Sequence, residues 1–344
     1  MKGILLIYTG GTIGMMEDPA SGSLTPLNFL ELRTYIPEIR RFSFRVDVKA
    51  FDKPIDSSDV QTQTWLEIAD LIHQHYDEYD GFVVLHGTDT MAYSASALSF
   101  ILRNLKKPVI LTGSQLPIGK LRTDGKENLI TAIEIASAKR NGDAIVQEVA
   151  VLFDSNLFRG NRTHKYSTEN FDAFVSPNYP PLATVGIYIK YEWKHLLRTQ
   201  EDFFVEKHFE TDVAILKIFP GMSIDYVNAI LNIPRLKGVV LETYGSGNAP
   251  KDAALISALQ RAIENGICIL NVTQCSKGFV EQGRYDTSAG LQKIGVTSGG
   301  DLTTEAALTK LMFLLGKGLR GKSLHEQLIS PISGEITTFS SISD

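Results

Sequence analysis

Four short segments bring hydroxyl, carboxylate and amine side chains together with glycine, each just after an apolar run. The first is Tyr8-Thr9-Gly10-Gly11-Thr12-Ile13-Gly14, which follows Gly3-Ile4-Leu5-Leu6-Ile7. Glycine lets a backbone turn sharply and approach a ligand closely, so Thr12 offers a hydroxyl beside such a turn. Three readings fit this stretch: a phosphate cradle, a tight turn without chemistry, and a threonine nucleophile on a strained turn. The cradle lacks the lysine of a P-loop and the spacing of the dinucleotide fingerprint. Taken alone, the stretch leaves the other two open, and the plain turn is the commoner.

The second segment, His86-Gly87-Thr88-Asp89-Thr90, precedes an apolar helical pattern. Thr88 or Thr90 can cap that helix. Free backbone N–H groups at its start favour a carboxylate or an oxyanion, and Asp89 can grip a substrate ammonium. In Thr112-Gly113-Ser114-Gln115-Leu116-Pro117 the Gln115 amide offers both a donor and an acceptor, or is part of a polar loop. In Arg159-Gly160-Asn161-Arg162-Thr163-His164-Lys165 the lysine is either a surface charge or a base whose pKa is lowered beside other cations. Upstream, Ser57 and Ser58 within Asp56-Ser57-Ser58-Asp59 suit a small carboxylate or the start of a helix. His73 and His75 stand two apart and share no helix face. No cluster has zinc spacing, and no Gly-x-Ser-x-Gly elbow occurs.

The elements that must position these groups can be read from hydropathy. The runs 3–7, 82–85, 108–112 and 149–153 are apolar without alternation, the pattern of strands covered on both faces. Between them Trp65, Ile68, Ala69, Ile72 and Tyr76 recur at helical spacing, as do Ala97, Leu98, Ile101, Leu102 and Leu105, and Leu129, Ile130, Ile133 and Ala136. Such alternation predicts an α/β fold with a mostly parallel sheet flanked by helices, ligands binding at the carboxyl edge. Periodicity lapses near Tyr188–Glu210 and then resumes as a smaller α/β pattern. The expected organisation is an N-terminal domain over 1–188 carrying the site, a linker over 189–211 and a C-terminal α/β domain over 212–344. After Ser330 the Ser- and Thr-rich tail is expected to pack poorly.

Bulk properties narrow the classes further. A chain of 344 residues suits about two domains. A net charge of −5 gives no nucleic-acid surface, and no apolar run is long enough for a membrane span. The chain enters its first strand without a secretory pattern, and its two cysteines, Cys268 and Cys275, fit a reducing cytoplasm.

Together the segments Thr9-Gly10-Gly11-Thr12-Ile13, Asp56-Ser57-Ser58, His86-Gly87-Thr88-Asp89-Thr90, Thr112 to Pro117 and Arg159 to Thr163 resemble the bacterial-type L-asparaginase family, most closely its type I, cytoplasmic branch. Tyr244-Gly245-Ser246-Gly247-Asn248-Ala249-Pro250 and Thr273-Gln274-Cys275 extend the likeness over nearly the whole chain. The resemblance implies hydrolysis of L-asparagine to L-aspartate and ammonia with no metal or organic cofactor. By that analogy Thr12 attacks the side-chain amide and forms an acyl-enzyme ester. Thr88, Asp89 and Lys165 form a second cluster: the lysine moves protons, Asp89 orients it and holds the substrate amine, and Thr88 positions water. Gly11, Ser57, Ser58, Ser114, Gln115 and Asn248 complete the substrate site, Ser57 and Ser58 taking the carboxylate. The resemblance also implies a homodimer or a homotetramer built as a dimer of dimers, with Asn248 contributing across the intimate contact.

The chain departs from that pattern in two informative places. The loop Met15 to Pro26, expected to close as a lid, has no tyrosine to partner the first threonine. Where allosteric type I enzymes carry an arginine for a second asparagine, this chain has Glu242, and His164 stands where a threonine is usual, while Asn248 and Cys275 are kept. Asparagine activation is therefore expected to be weak or absent. The competing functions are a dual glutaminase-asparaginase, the glutamine-directed amidotransferase subunit that carries an extra N-terminal domain, and a non-catalytic ligand-binding protein on the same fold.

Overall fold

The computed structural model describes residues 2–17, 24–26, 36–283 and 286–338. It divides into a first unit ending at Glu206 and a second beginning at Lys207.

The first unit is organised on an eight-stranded sheet. Its strands are β1 (Ile4–Gly10), β2 (Val46–Ile55), β3 (Gly81–Leu85), β4 (Val109–Thr112), β5 (Val149–Phe153), β6 (Asn156–Arg159), β7 (Ala183–Val185) and β8 (Ile189–Tyr191), in the order β8-β7-β6-β5-β4-β3-β1-β2. The β1, β3, β4 and β5 strands are buried along their whole length, as their unbroken apolar runs require. They pair in parallel with one another and with β2, whereas β6, β7 and β8 continue antiparallel.

Three helices fill the crossovers: α1 (Thr62–Gln74), α2 (Met91–Ile101) and α3 (Gly125–Ser137). The first and third bury one stripe each, Trp65, Ile68, Ala69 and Ile72 in α1 and Leu129, Ala132, Ile133 and Ala136 in α3. Helix α2 differs, because Tyr93 alone of its residues escapes full burial. Its interior serines, Ser96 and Ser99, donate to the Ala92 and Ala95 carbonyls at 2.7 Å, so the buried hydroxyls are satisfied within the helix.

The second unit holds a four-stranded parallel sheet of β9 (Val213–Lys217), β10 (Gly238–Thr243), β11 (Cys268–Thr273) and β12 (Thr297–Ser298), in that order. Helices α4 (Ile224–Leu231), α5 (Ala253–Glu264), α6 (Asp286–Lys293), α7 (Thr304–Gly316) and α8 (Gly321–Leu328) accompany it.

Two expectations need correction. The segment 189–211 is no free linker, since Ile189–Tyr191 is the sheet's edge strand and Phe204–Val205 pairs with Leu102–Arg103. Phe203 also stacks on Tyr76 with ring centroids 3.8 Å apart. Short antiparallel strands rich in aromatics and charge carry no sustained period, which is why the sequence reads there as a gap. The tail through residue 338 is likewise packed. Lys310 on α7 donates to the Leu328 and Ser330 carbonyls and to Glu335 Oε1 at 2.6–2.8 Å, and both Lys310 and Glu335 are fully buried. The other side of the tail is tied by Thr337, whose backbone and hydroxyl both donate to Asp301.

A buried pair of this kind is costly to break from one side, because the remaining ion keeps its desolvation without its partner. Lys310→Met is expected to destabilise the second unit by about 3–5 kcal/mol, read as a fall in its denaturant midpoint. An unchanged midpoint would mean that this lysine does not hold the tail.

Candidate active site

The site begins with glycines that allow three chain segments to touch. A Cβ placed on Gly11, whose φ is +85°, would lie 2.4 Å from the Cα and N of Gly87. One placed on Gly87 would lie 2.5 Å from Ser57 Oγ, and one on Gly10 2.1 Å from the Ile55 carbonyl oxygen. Side chains do not fit at such separations, so the carboxyl ends of β1, β2 and β3 meet through bare backbone. The crossing sets Thr12, Ser57 and Thr88 on adjoining segments of one sheet edge. Thr12 opens a short 3-10 turn, Thr12–Gly14, and is half-buried. Beneath the turn the Tyr8 hydroxyl donates to the Gly14 carbonyl at 3.0 Å, and burial pushes that phenol up to about 12. The Thr9 hydroxyl fastens the same segment to the Leu85 carbonyl at 3.0 Å.

Across the crossing, Lys165 Nζ lies 2.8 Å from Thr88 Oγ1 and 2.6 Å from Asp89 Oδ1. The lysine arrives on a two-residue strand, His164–Lys165, paired with Phe174–Val175. Its side chain is mostly buried while the Asp89 carboxylate is largely exposed. The partner that the structure gives Lys165 is thus the Asp89 carboxylate, the residue that the family resemblance sets beside it. Thr88 Oγ1 also faces Gln115 Oε1 at 3.4 Å, and Gln115 Nε2 donates to the Asn170 carbonyl at 3.1 Å. A carbonyl only accepts, which fixes the amide orientation and turns its oxygen toward Thr88. Thr90 occupies the N-cap position of α2, as one of the two sequence alternatives has it, but its hydroxyl makes no cap bond and donates instead to the Ser57 carbonyl at 2.6 Å.

The remaining predicted residues are distributed unevenly. Ser57 is buried at the crossing, while Ser58 is exposed and donates to Asp56 Oδ1 at 2.8 Å. Asp56 accepts the Ser58 N–H as well, and these bonds hold its carboxyl below the usual range. Ser114 is buried with its hydroxyl on the Leu116 carbonyl. Asn248 belongs to the second unit, where its backbone bridges to Tyr244. Glu242, also in that unit, accepts from Thr304 Oγ1 at 2.6 Å and sits 3.4 Å from Lys217 Nζ. Residues 18–23 of the expected lid lie outside those described; its flanks, Met15–Glu17 and Leu24–Pro26, pair antiparallel.

Two supports escaped the reading of the sequence. Asp124 looks like the cap of α3, but its carboxylate turns to the loop and accepts from the backbone N–H groups of Gln115 and Leu116 at 2.9–3.1 Å. The second support is a buried line from Trp65 Nε1 through Ser94 Oγ to His86 Nε2, 2.9 Å at each step, ending with His86 Nδ1 2.7 Å from the Gly87 carbonyl. Its members lie on α1, on α2 and after β3, so no local spacing could reveal it. Among the described residues no group of three or more His, Cys, Asp or Glu side chains is arranged to hold a metal ion.

With this geometry in hand, comparison with known proteins is decisive. Residues 3–197 match the family model "Asparaginase, N-terminal", and residues 212–328 match "Glutaminase/Asparaginase C-terminal domain". The chain belongs to the asparaginase family. It is 42% identical to L-asparaginase 1 of Escherichia coli K12, over 98% of both chains. The crystal structure of L-asparaginase I from Vibrio cholerae superposes with a TM-score of 0.87 at 38% identity, covering 98% of this chain and 99% of that one. The thermostable L-asparaginase of Thermococcus kodakarensis gives 0.89 at 31%, with the same coverage. Both halves of this asparaginase-family chain thus match in order, and its sheet architecture agrees with the fold expected from its strand and helix pattern.

Burial without a countercharge lowers the His86 pKa, so the fold favours the neutral imidazole. The unfolded chain, with a histidine near 6.5, binds the extra proton first as pH falls. This contribution to stability is therefore complete above about pH 6.5 and is lost progressively below it. His86→Asn, which cannot titrate, is expected to show a smaller fall in denaturant midpoint between pH 7.5 and pH 5.5 than the wild type; an equal fall would contradict the assignment.

Proposed function

We propose that this chain hydrolyses L-asparagine to L-aspartate and ammonia through a covalent threonine ester. Thr12 Oγ1 attacks the side-chain amide carbon and loses its proton, ammonia departs, and water then cleaves the ester. The observation that carries this reading is the Lys165–Thr88–Asp89 contact, at 2.8 and 2.6 Å, on the sheet edge that the Gly11–Gly87 crossing shares with Thr12. A threonine hydroxyl is a poor nucleophile until a base takes its proton. Lys165, joined to Thr88 Oγ1, is the group placed to exchange protons, and Asp89 both orients it and presents an exposed carboxylate for the substrate amine. Ser57 and Ser58 receive the substrate carboxylate, Gly11 lets it approach, and Ser114 and Gln115 border the departing amide nitrogen.

The same reading makes the protein a cytoplasmic homodimer or homotetramer, with Asn248 of a second copy completing the site. Exposed Tyr166, Tyr188, Trp193 and Phe204 support an assembly, as do two free cysteines a reducing compartment. Among the described residues no helix is long and apolar enough to cross a membrane.

Ammonia release tests the proposal. Thr12→Ala and Lys165→Met are each expected to lower kcat on asparagine by about 10²–10⁴-fold, the range for loss of proton transfer or its nucleophile. Retention of wild-type kcat by Thr12→Ala overturns the ester mechanism. Glutamine differs by one methylene, worth about 1–3 kcal/mol in a pocket, so a glutaminase activity about 10- to 200-fold weaker is expected beside it.

Control by a second asparagine is expected to be weak or absent. The carboxylate of Glu242 is already engaged by Thr304 and Lys217 and repels a second carboxylate, where an arginine would bind one bidentately. Velocity should rise hyperbolically with asparagine, and a clearly sigmoidal curve would sink this part of the reading.

A further inference from the structure

The line of hydrogen bonds ending at Gly87 has one consistent polarity. An indole N–H only donates, so Trp65 gives its proton to Ser94 Oγ. The single Ser94 proton then goes to His86 Nε2, which must be the bare nitrogen of a neutral ring. Nδ1 carries the ring proton and donates it to the Gly87 carbonyl, which only accepts. All three side chains are at least nine-tenths buried, which keeps water from competing for any of these bonds.

The Gly87 carbonyl is therefore held toward the interior, against a ring that solvent barely reaches. In a planar trans peptide the C=O and the following N–H point in opposite directions. Fixing the Gly87 oxygen inward fixes the Thr88 N–H outward, away from the buried ring. Among the described residues that N–H has no internal hydrogen-bond acceptor. A glycine carbonyl left unclamped at this point would be free to rotate, since residue 87 has no side chain to resist a peptide flip.

We propose that His86 is a positioning residue of the reaction: as the Nδ1–H tautomer set by Trp65 and Ser94, it locks the Gly87–Thr88 peptide so that the Thr88 N–H is preset as a donor to the oxyanion. This rests on the acyl-transfer reading of the site given above. It adds that the oxyanion donor is oriented from below, by a side chain that never meets the substrate. A preset donor acts where charge develops, so its loss lowers kcat with little change in KM.

Two variants separate this role from simple packing. His86→Asn keeps an N–H near the Nδ1 position, whereas His86→Leu removes it. The crystal structure of His86→Leu is expected to show the Gly87–Thr88 peptide rotated, and that of His86→Asn to show it as in the wild type. At a temperature where both are fully folded by circular dichroism, His86→Leu should lose about tenfold or more in kcat on asparagine with KM within about twofold, and His86→Asn should recover most of that loss. An unrotated peptide in His86→Leu overturns the proposal whatever the activity, and so does an equal kcat loss in both variants. A wild type inactive on asparagine and glutamine would instead overturn the function proposed above, while the peptide orientation would still decide the clamp.

Discussion

The structure depends on a contact that no side chain makes. Gly11 and Gly87 press backbone against backbone, and Ser57 also lies against Gly87. Parallel strands lie nearly 5 Å apart, and side chains at their ends would ordinarily hold the loops further away. Removing those side chains at the crossing lets the three loops converge. The nearby hydroxyls and charges can then be short-range partners: Lys165 reaches Thr88, Thr90 reaches the Ser57 backbone, and Thr9 reaches Leu85. Much of the remaining architecture holds this convergence still. Tyr8 supports the first turn, His86 the second and Asp124 the loop that carries Ser114 and Gln115.

Legibility in the sequence follows the range of the cause. Buried parallel strands announce themselves because both faces are apolar, so 3–7, 82–85, 108–112 and 149–153 are plain, and the alternating helices give the fold class. Short motifs rich in glycine and hydroxyl residues mark the strand ends, which is why Thr12, Thr88, Asp89 and Lys165 can be named before any coordinates. The β2 strand could not be seen in this way, because it lies at the sheet edge with one residue in ten fully buried. The β6, β7 and β8 strands are short and antiparallel. The packed tail was missed since its ties, Lys310 to Glu335 and Asp301 to Thr337, join residues 25 and 36 apart whose types suggest surface positions. Asp124 was hidden by a local pattern that suggested a different partner. For Trp65, Ser94 and His86, each type is common in a helix or loop interior, and only the fold makes them a line.

The two units use polar groups in the interior differently. In the first, Thr9, His86 and Ser114 direct neutral side chains at the backbone of the site, while the buried pair Arg159–Glu148 is charged. In the second, a fully buried ammonium and carboxylate pin the segment around Glu335 against α7. A charged pair is a poor source of net stability, yet it discriminates strongly against a wrong partner. A tail with few large apolar residues has little else to specify where it docks.

Helix α2 also acts as a gauge. Its first residues follow the turn that bears Thr88 and Asp89, and along its side Ala95 touches Gly160, where a Cβ would come within 3.1 Å of the Ala95 methyl. Gly160 begins the stretch that delivers Lys165. The spacing between the ammonium and the hydroxyl is thus set partly by the smallest pair of residues that can pack a loop on a helix. Enlarging either member by a single carbon would widen that spacing without altering any group that does chemistry. Drift at such positions can silence an enzyme whose reactive residues are all intact, and a catalogue of those residues alone would not reveal the defect.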